Sequence, residues 1–155
     1  MTLLIETAAS GVALPRWRAR LPRFCRALAE AAGFPGLEVS LLLCGDERIQ
    51  ELNTRYRGTR KPTDVLSFPR DDGGGAAADG LPVAGDIAIS LPALRRNAAT
   101  FGVSEDEELK RLLVHGILHL AGMDHGRGKG RAMLIRQGKL LERLRGQRIM
   151  GEPGE

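Results

Sequence analysis

Aromatic side chains are scarce in this chain: one Trp, one Tyr and four Phe among 155 residues. So few rings exclude a groove lined with stacking platforms for several bases, and any nucleic-acid recognition should rest on shape and phosphate contacts. Long apolar runs are missing as well. None approaches the ~18 residues that a membrane-spanning helix needs. The N-terminal MTLLIETAAS has neither a basic leader nor a cleavage pattern, so the expected location is the cytoplasm, with no membrane partner. Cysteine is limited to Cys25 and Cys44, in no C-x-x-C pair, which predicts two small buried residues and not a redox or zinc pair. Histidine is the most informative scarcity. The chain has three, and all fall within HGILHLAGMDH, residues 115–125.

The rest of the composition is ordinary for one globular domain, 43% hydrophobic and 27% charged. The net charge is +4, and the basic excess is uneven. Arg127, Lys129, Arg131, Arg136, Lys139, Arg143, Arg145 and Arg148 face only one acid, Glu142, between residues 126 and 148. Such a segment is either a solvated helix face or a surface for an anionic partner.

Periodicity divides the chain into alternating strands and helices. Strands are expected at 2–7, 37–44, 63–69 and 83–90. The near-continuous apolar run of LEVSLLLC marks the second as buried. Helices are expected at 16–32, split by Pro22, at 46–56 with Asp46 as the cap, at 90–101, from Ser104 to Gly122, and at 131–145 with Gly138 as a weak point. Ser104 and Glu107 have capping-box spacing, and Glu105 to Glu108 set negative charge on the positive end of that helix. DDGGGAAADG, 71–80, reads as a mobile hairpin connection, and the last five residues as a frayed tail.

His115 and His119 are four apart, so on a helix they project from one face, one turn apart, the spacing at which two imidazoles share a metal ion. His125 follows Gly122, a residue able to turn the chain back so that the third imidazole meets the same ion. Three neutral nitrogen ligands with a fourth position open is the pattern of a catalytic zinc. The spacing is that of the metzincin zinc proteases with one gap, because the place of their general-base glutamate is held by Gly116.

HGILHLAGMDH also resembles the H-G-x-L-H-L-x-G-x-D-H signature of the YbeY family of bacterial endoribonucleases. LNTRYRGTRKPTDVLSFP, residues 52–69, and GDIAIS, residues 85–90, are similar to two further blocks of that family in the same order. The resemblance implies an α/β (α+β) fold in a single domain over 1–150. That fold is a four-stranded mixed sheet packed with about five helices, with zinc in a side cleft. It implies His115, His119 and His125 as ligands of one zinc ion and Arg57 as the catalytic residue that stabilises the phosphate. It implies hydrolysis of single-stranded rRNA precursor by zinc-activated water, in maturation of the small-subunit 3′ end and ribosome quality control. RNA and the small ribosomal subunit are the implied partners, with ribosomal proteins or an assembly GTPase beside them.

Two departures stand out. Met123 occupies a place that is usually aromatic in the family, and GRGKGR follows His125 where the family tends to be acidic. Asp64, Asp86 and Asp124 are candidates for supporting contacts, and Asn53, Tyr56, Lys61 and Ser67 for RNA or backbone contacts. Two other functions compete: a metallopeptidase, favoured by the metzincin-like spacing and disfavoured by Gly116, and a non-catalytic ribosome-assembly factor with a structural metal.

Overall fold

The computed structural model describes residues 1–60, 63–70, 80–123 and 129–151. Its elements follow the expected order: β1 (Thr2–Ser10), a short 3-10 turn (Arg16–Arg20), α1 (Leu21–Ala32), β2 (Gly36–Cys44), α2 (Asp46–Arg57), β3 (Val65–Pro69), β4 (Val83–Ser90), α3 (Leu91–Phe101), α4 (Glu105–Leu120) and α5 (Lys129–Arg143). The four strands form one mixed sheet in the order β1-β2-β4-β3. β1, β2 and β4 run parallel, and β3 is antiparallel to β4. The expected fold class holds: one domain with, among the described residues, four strands and five α-helices.

Side chains alternate across a strand, so the register sorts them onto two faces. Leu37, Val39, Leu41 and Leu43 of β2, with Ile87 and Ile89 of β4, are buried in the main core with α1 and α4. On the opposite face a smaller cluster of Cys44, Ile49, Leu66 and Ala88 seats α2 over β3, β4 and the end of β2. α2 is too short to cover the rest. A row of side chains across the sheet, Glu6, Ser40, Asp86 and Phe68, therefore faces a cleft.

The two cysteines are free and buried, as expected. Burial pushes the Cys25 thiol up to about 12 and that of Cys44 to about 11, so neither supplies a thiolate at neutral pH.

The 16–32 stretch divides at Pro22 as expected, into the 3-10 turn and α1, and Pro22 sits in the first turn of α1, where its missing N–H costs nothing. Several local expectations shift. β1 runs three residues beyond Thr7 because β2 continues to pair with it, Ser10 against Cys44. Asp46 is the first residue of α2 and not its cap, which is Gly45. Its carboxylate instead accepts from Ser90 Oγ (2.8 Å) and Arg96 (2.7 and 2.9 Å), and the Arg96 guanidinium holds it below the usual carboxylate range. Ser104 caps α4 as expected, accepting from the Glu107 N–H at 3.0 Å. The 71–79 connection and the tail from 152 lie outside the described residues.

Two of the four acids that open α4 do more than oppose the helix dipole. Asp106 and Glu108 are buried. Glu108 takes a two-toothed grip from Arg111 at 2.7 and 2.6 Å, and Asp106 accepts the backbone N–H groups of Ile149 and Met150 at 2.9 and 2.8 Å. One turn later, buried Lys110 donates to the carbonyls of Leu144, Arg145 and Gln147 at 3.2–3.4 Å. This pair clamps the segment after α5 onto α4. Lys110→Met would leave three carbonyls and the Asp106 charge without their cation, and should cost about 3 kcal/mol in urea unfolding. A change below ~1 kcal/mol would show that the clamp is dispensable.

Candidate functional site

Eleven of the sixteen residues of α4 are buried. His115 and His119 are among the few that remain half-exposed, and their rings lie 4.7 Å apart, centroid to centroid, at 74°. The helix stops as expected near Gly122: its N–H bonds the His119 carbonyl at 2.9 Å, and its φ of 95° turns the chain so that the Met123 N–H bonds the Leu118 carbonyl at 3.0 Å. Nδ1 of His115 sits 2.9 Å from Oε1 of Gln137, a buried residue of α5. This contact ties the His115 ring to α5 and orients it. Two neighbouring imidazoles are donors of the kind that transition-metal ions take. His125, the third expected ligand, lies outside the described residues, as does Asp124.

His119 lines the large cleft, about 1460 Å³, that opens over the partly covered sheet face. Arg57, expected to be the catalytic arginine, lines the same cleft, and so do Tyr56, Ser67, Phe68 and Asp86. Arg57 ends α2, where Gly58 takes a left-handed conformation and closes the helix. Its Nη2 donates to the Ser67 carbonyl at 2.7 Å, and its guanidinium lies 5.7 Å from the centre of the Phe68 ring. Among the described residues it has no carboxylate partner, so its charge remains available to an anion. Ser67 in turn donates its hydroxyl to the Gly116 carbonyl at 3.2 Å. α2, β3 and α4 are thus tied together at the cleft.

Gly116 explains its own place in the motif. A Cβ there would lie 3.1 Å from both Ile87 Cδ1 and Ser67 Oγ, so the residue faces the sheet at a tight contact. The position that holds a glutamate in the metzincin pattern is here the seat of a helix on a sheet.

The other candidates divide. Asp86 is exposed in the cleft, whereas Asp64 is held by Asn97 (3.0 Å) and Arg111 (3.5 Å) away from it. Asn53 is buried on the inner side of α2, while Lys61 lies outside the described residues. The basic C-terminal segment is partly structural. Arg136 donates to the Ala32 carbonyl at 2.7 Å and Arg143 to that of Ala31 at 3.4 Å, so both cap the C-terminus of α1. Gln137 was missed by sequence reasoning. A glutamine one position from an arginine on an amphipathic helix carries no signal of what its amide faces.

The model of the family described as endoribonuclease YbeY matches residues 5–145. Among curated proteins, the endoribonuclease YbeY of Treponema pallidum subsp. pallidum is 39% identical over 142 residues, 88% of this chain and 87% of its own. That of Geobacillus kaustophilus is 44% identical over 129 residues, 77% and 83% of the two chains. A solution structure from Thermotoga maritima superposes with a TM-score of 0.64 at 28% identity, covering 98% of this chain and 99% of that one.

The packing at Gly116 yields a test. Gly116→Glu should not confer peptidase activity and should destabilise the fold by about 3 kcal/mol or more, because the carboxylate would be forced between α4 and the sheet. Denaturant unfolding with near wild-type stability would mean that residue 116 faces open space.

Proposed function

The chain belongs to the YbeY family, and from that premise we propose that it is a metal-dependent endoribonuclease acting on rRNA precursor in small-subunit maturation and ribosome quality control. The observation that carries this reading is the cleft itself: it holds His119, from the histidine helix, and Arg57, an arginine with no carboxylate to neutralise it among the described residues. In this reading one zinc ion is held by His115, His119 and His125. Bound there, it would supply Lewis-acid chemistry to a phosphoryl group and acidify water. The residues do the rest. Gln137 orients the His115 ring, the part that partners on the second ring nitrogen play behind metal-binding imidazoles. Arg57, anchored by one donor on the Ser67 carbonyl, keeps its other N–H groups for phosphate oxygens, where charge grows in the transition state. RNA and the small subunit are the partners, and the cytoplasm the place of action. No helix among the described residues is long and apolar enough to cross a membrane.

Gly116, packed against Ile87 and Ser67, counts against the glutamate that a metallopeptidase would use at that position. An arginine in the cleft without a carboxylate partner among the described residues favours a nuclease over a protein whose metal is only structural.

Purified protein, analysed for metal and tested on structured rRNA and on a peptide library, decides among them. RNA cleavage abolished by a chelator and restored by zinc, with peptides untouched, is expected, and His119→Ala should lose the metal. Metal-dependent peptide cleavage with intact RNA would overturn the nuclease. Metal retained in full by His119→Ala would overturn the ligand set.

Arg57→Ala should separate binding of the metal from chemistry. It forfeits a hydrogen bond worth about 1 kcal/mol and leaves no core cavity, so fold and metal content should persist. RNA cleavage should fall roughly 100-fold or more, the usual effect of losing one donor to a developing oxyanion. Wild-type rates in a stable, metal-loaded variant would remove Arg57 from the reaction.

A further inference from the structure

The chain's single tyrosine is 60% exposed, in the last turn of α2, immediately before Arg57. Its ring meets Phe68 edge-on at 5.4 Å, and the Arg57 guanidinium lies against the same Phe68 ring. All three side chains line the cleft that holds His119. In a chain with six aromatic residues, two are in contact at this one wall. We propose that Tyr56, backed by Phe68, is a stacking subsite for one unpaired nucleobase of the RNA whose phosphate Arg57 holds. The inference rests on the endoribonuclease reading and specifies how that cleft takes its substrate.

A second aromatic-arginine pair in the fold shows what sets this one apart. Phe101 is equally exposed, at 60%, with the Arg111 guanidinium 5.8 Å from its ring centre. Arg111, however, is neutralised by Glu108 at 2.6 Å and Asp64 at 3.5 Å, so that pair offers a ring without charge for a phosphate. Arg57 meets a neutral carbonyl and a ring. A nucleotide needs both, a π-face for the base and a cation for the phosphate, and the Tyr56 wall has both on adjacent residues.

The sheet floor gives the strand its direction. Asp86 is paired across the ladder with Phe68, and Glu6 lies two strands away in the same row. Carboxylates there repel a backbone laid on the sheet and favour phosphates near Arg57, at the rim. Asp86 also sits where it can accept from a base amino group. One base held by a ring, with neighbours recognised through their phosphates, suits an aromatic-poor chain.

The test uses a single-stranded oligoribonucleotide that the wild type cleaves, and a series in which one abasic residue is moved along it. At one position next to the cleaved bond the abasic substitution should lower kcat/KM about 5- to 150-fold, the range for one base-aromatic stack. Tyr56→Phe keeps a ring and should preserve that position-specific loss. Tyr56→Ala should slow the intact RNA by a similar factor and abolish the extra loss at that position, since the two changes remove the same contact. Tyr56 is exposed, so neither variant opens a cavity, and thermal unfolding checks the fold of each. A flat abasic profile, or one unchanged in Tyr56→Ala, would overturn the subsite while leaving the nuclease intact. Failure of the wild type on every intact RNA would overturn both.

Discussion

The structure depends on how closely α4 lies against the sheet. A helix can approach strands to backbone distance only where side chains are missing, and Gly116 supplies that gap above Ile87 and Ser67. Gly85 does the same from the strand side, where a Cβ would collide with the Phe68 carbonyl and the Leu120 side chain. Once α4 is seated there, its other positions are determined. Leu112, Leu113, Ile117 and Leu120 enter the core, and His115 and His119 emerge on the side that faces α5 and the cleft. The Ser67 hydroxyl bonds the Gly116 carbonyl and the Ser67 carbonyl holds Arg57, so the seat of the helix also sets the distance between histidines and arginine.

Charge is used chiefly to assemble the fold, which changes how the basic composition should be read. α1 has no basic residue in its own last turn, and its final carbonyls are satisfied by Arg136 and Arg143 from α5. Arg96 is paired with Asp46, Arg70 with Glu38, and Arg111 with Glu108 and Asp64. An excess of arginine late in the chain therefore signals helix caps at least as much as an anionic partner. Arg57 differs by its surroundings: among the described residues it meets a carbonyl and a ring and no carboxylate.

Much of this was legible in the sequence. Strand and helix order, the Ser104 cap and the stop at Gly122 follow from periodicity and from residue types with strong local preferences, and the mixed sheet from the resemblance to the family. His115 and His119 were legible for the same reason: a four-residue spacing on a helix determines their common face whatever surrounds them. What escaped depends on contacts between distant segments. Asp46 and Ser90 are 44 positions apart, His115 and Gln137 22, and Ser67 and Gly116 49. Local pattern carries no trace of such pairs. The role of Gly116 is the clearest case. The sequence marks it as a missing glutamate, and only the sheet packed against it shows why a side chain is excluded.

The cleft's electrostatics follow from the direction of its helices. α2 ends at it with Tyr56 and Arg57, and α4 ends at it with His119 and Leu120, so both present their negative C-terminal poles. Glu6 and Asp86 add two carboxylates to the floor. A site of this kind attracts cations and, left to itself, resists an anionic strand. In the proposed reading a divalent ion near His119 and the guanidinium of Arg57 are both favoured by the helix poles beneath them, and together they reverse the local sign where a phosphate must sit. The positive charge without a carboxylate partner is then concentrated at the reacting position, since the other arginine of the cleft wall, Arg70, is paired with Glu38, and the carboxylates of the floor discourage phosphates. RNA held in this way would be gripped tightly at one nucleotide and loosely elsewhere, which is what cleavage at a defined bond within a flexible strand requires.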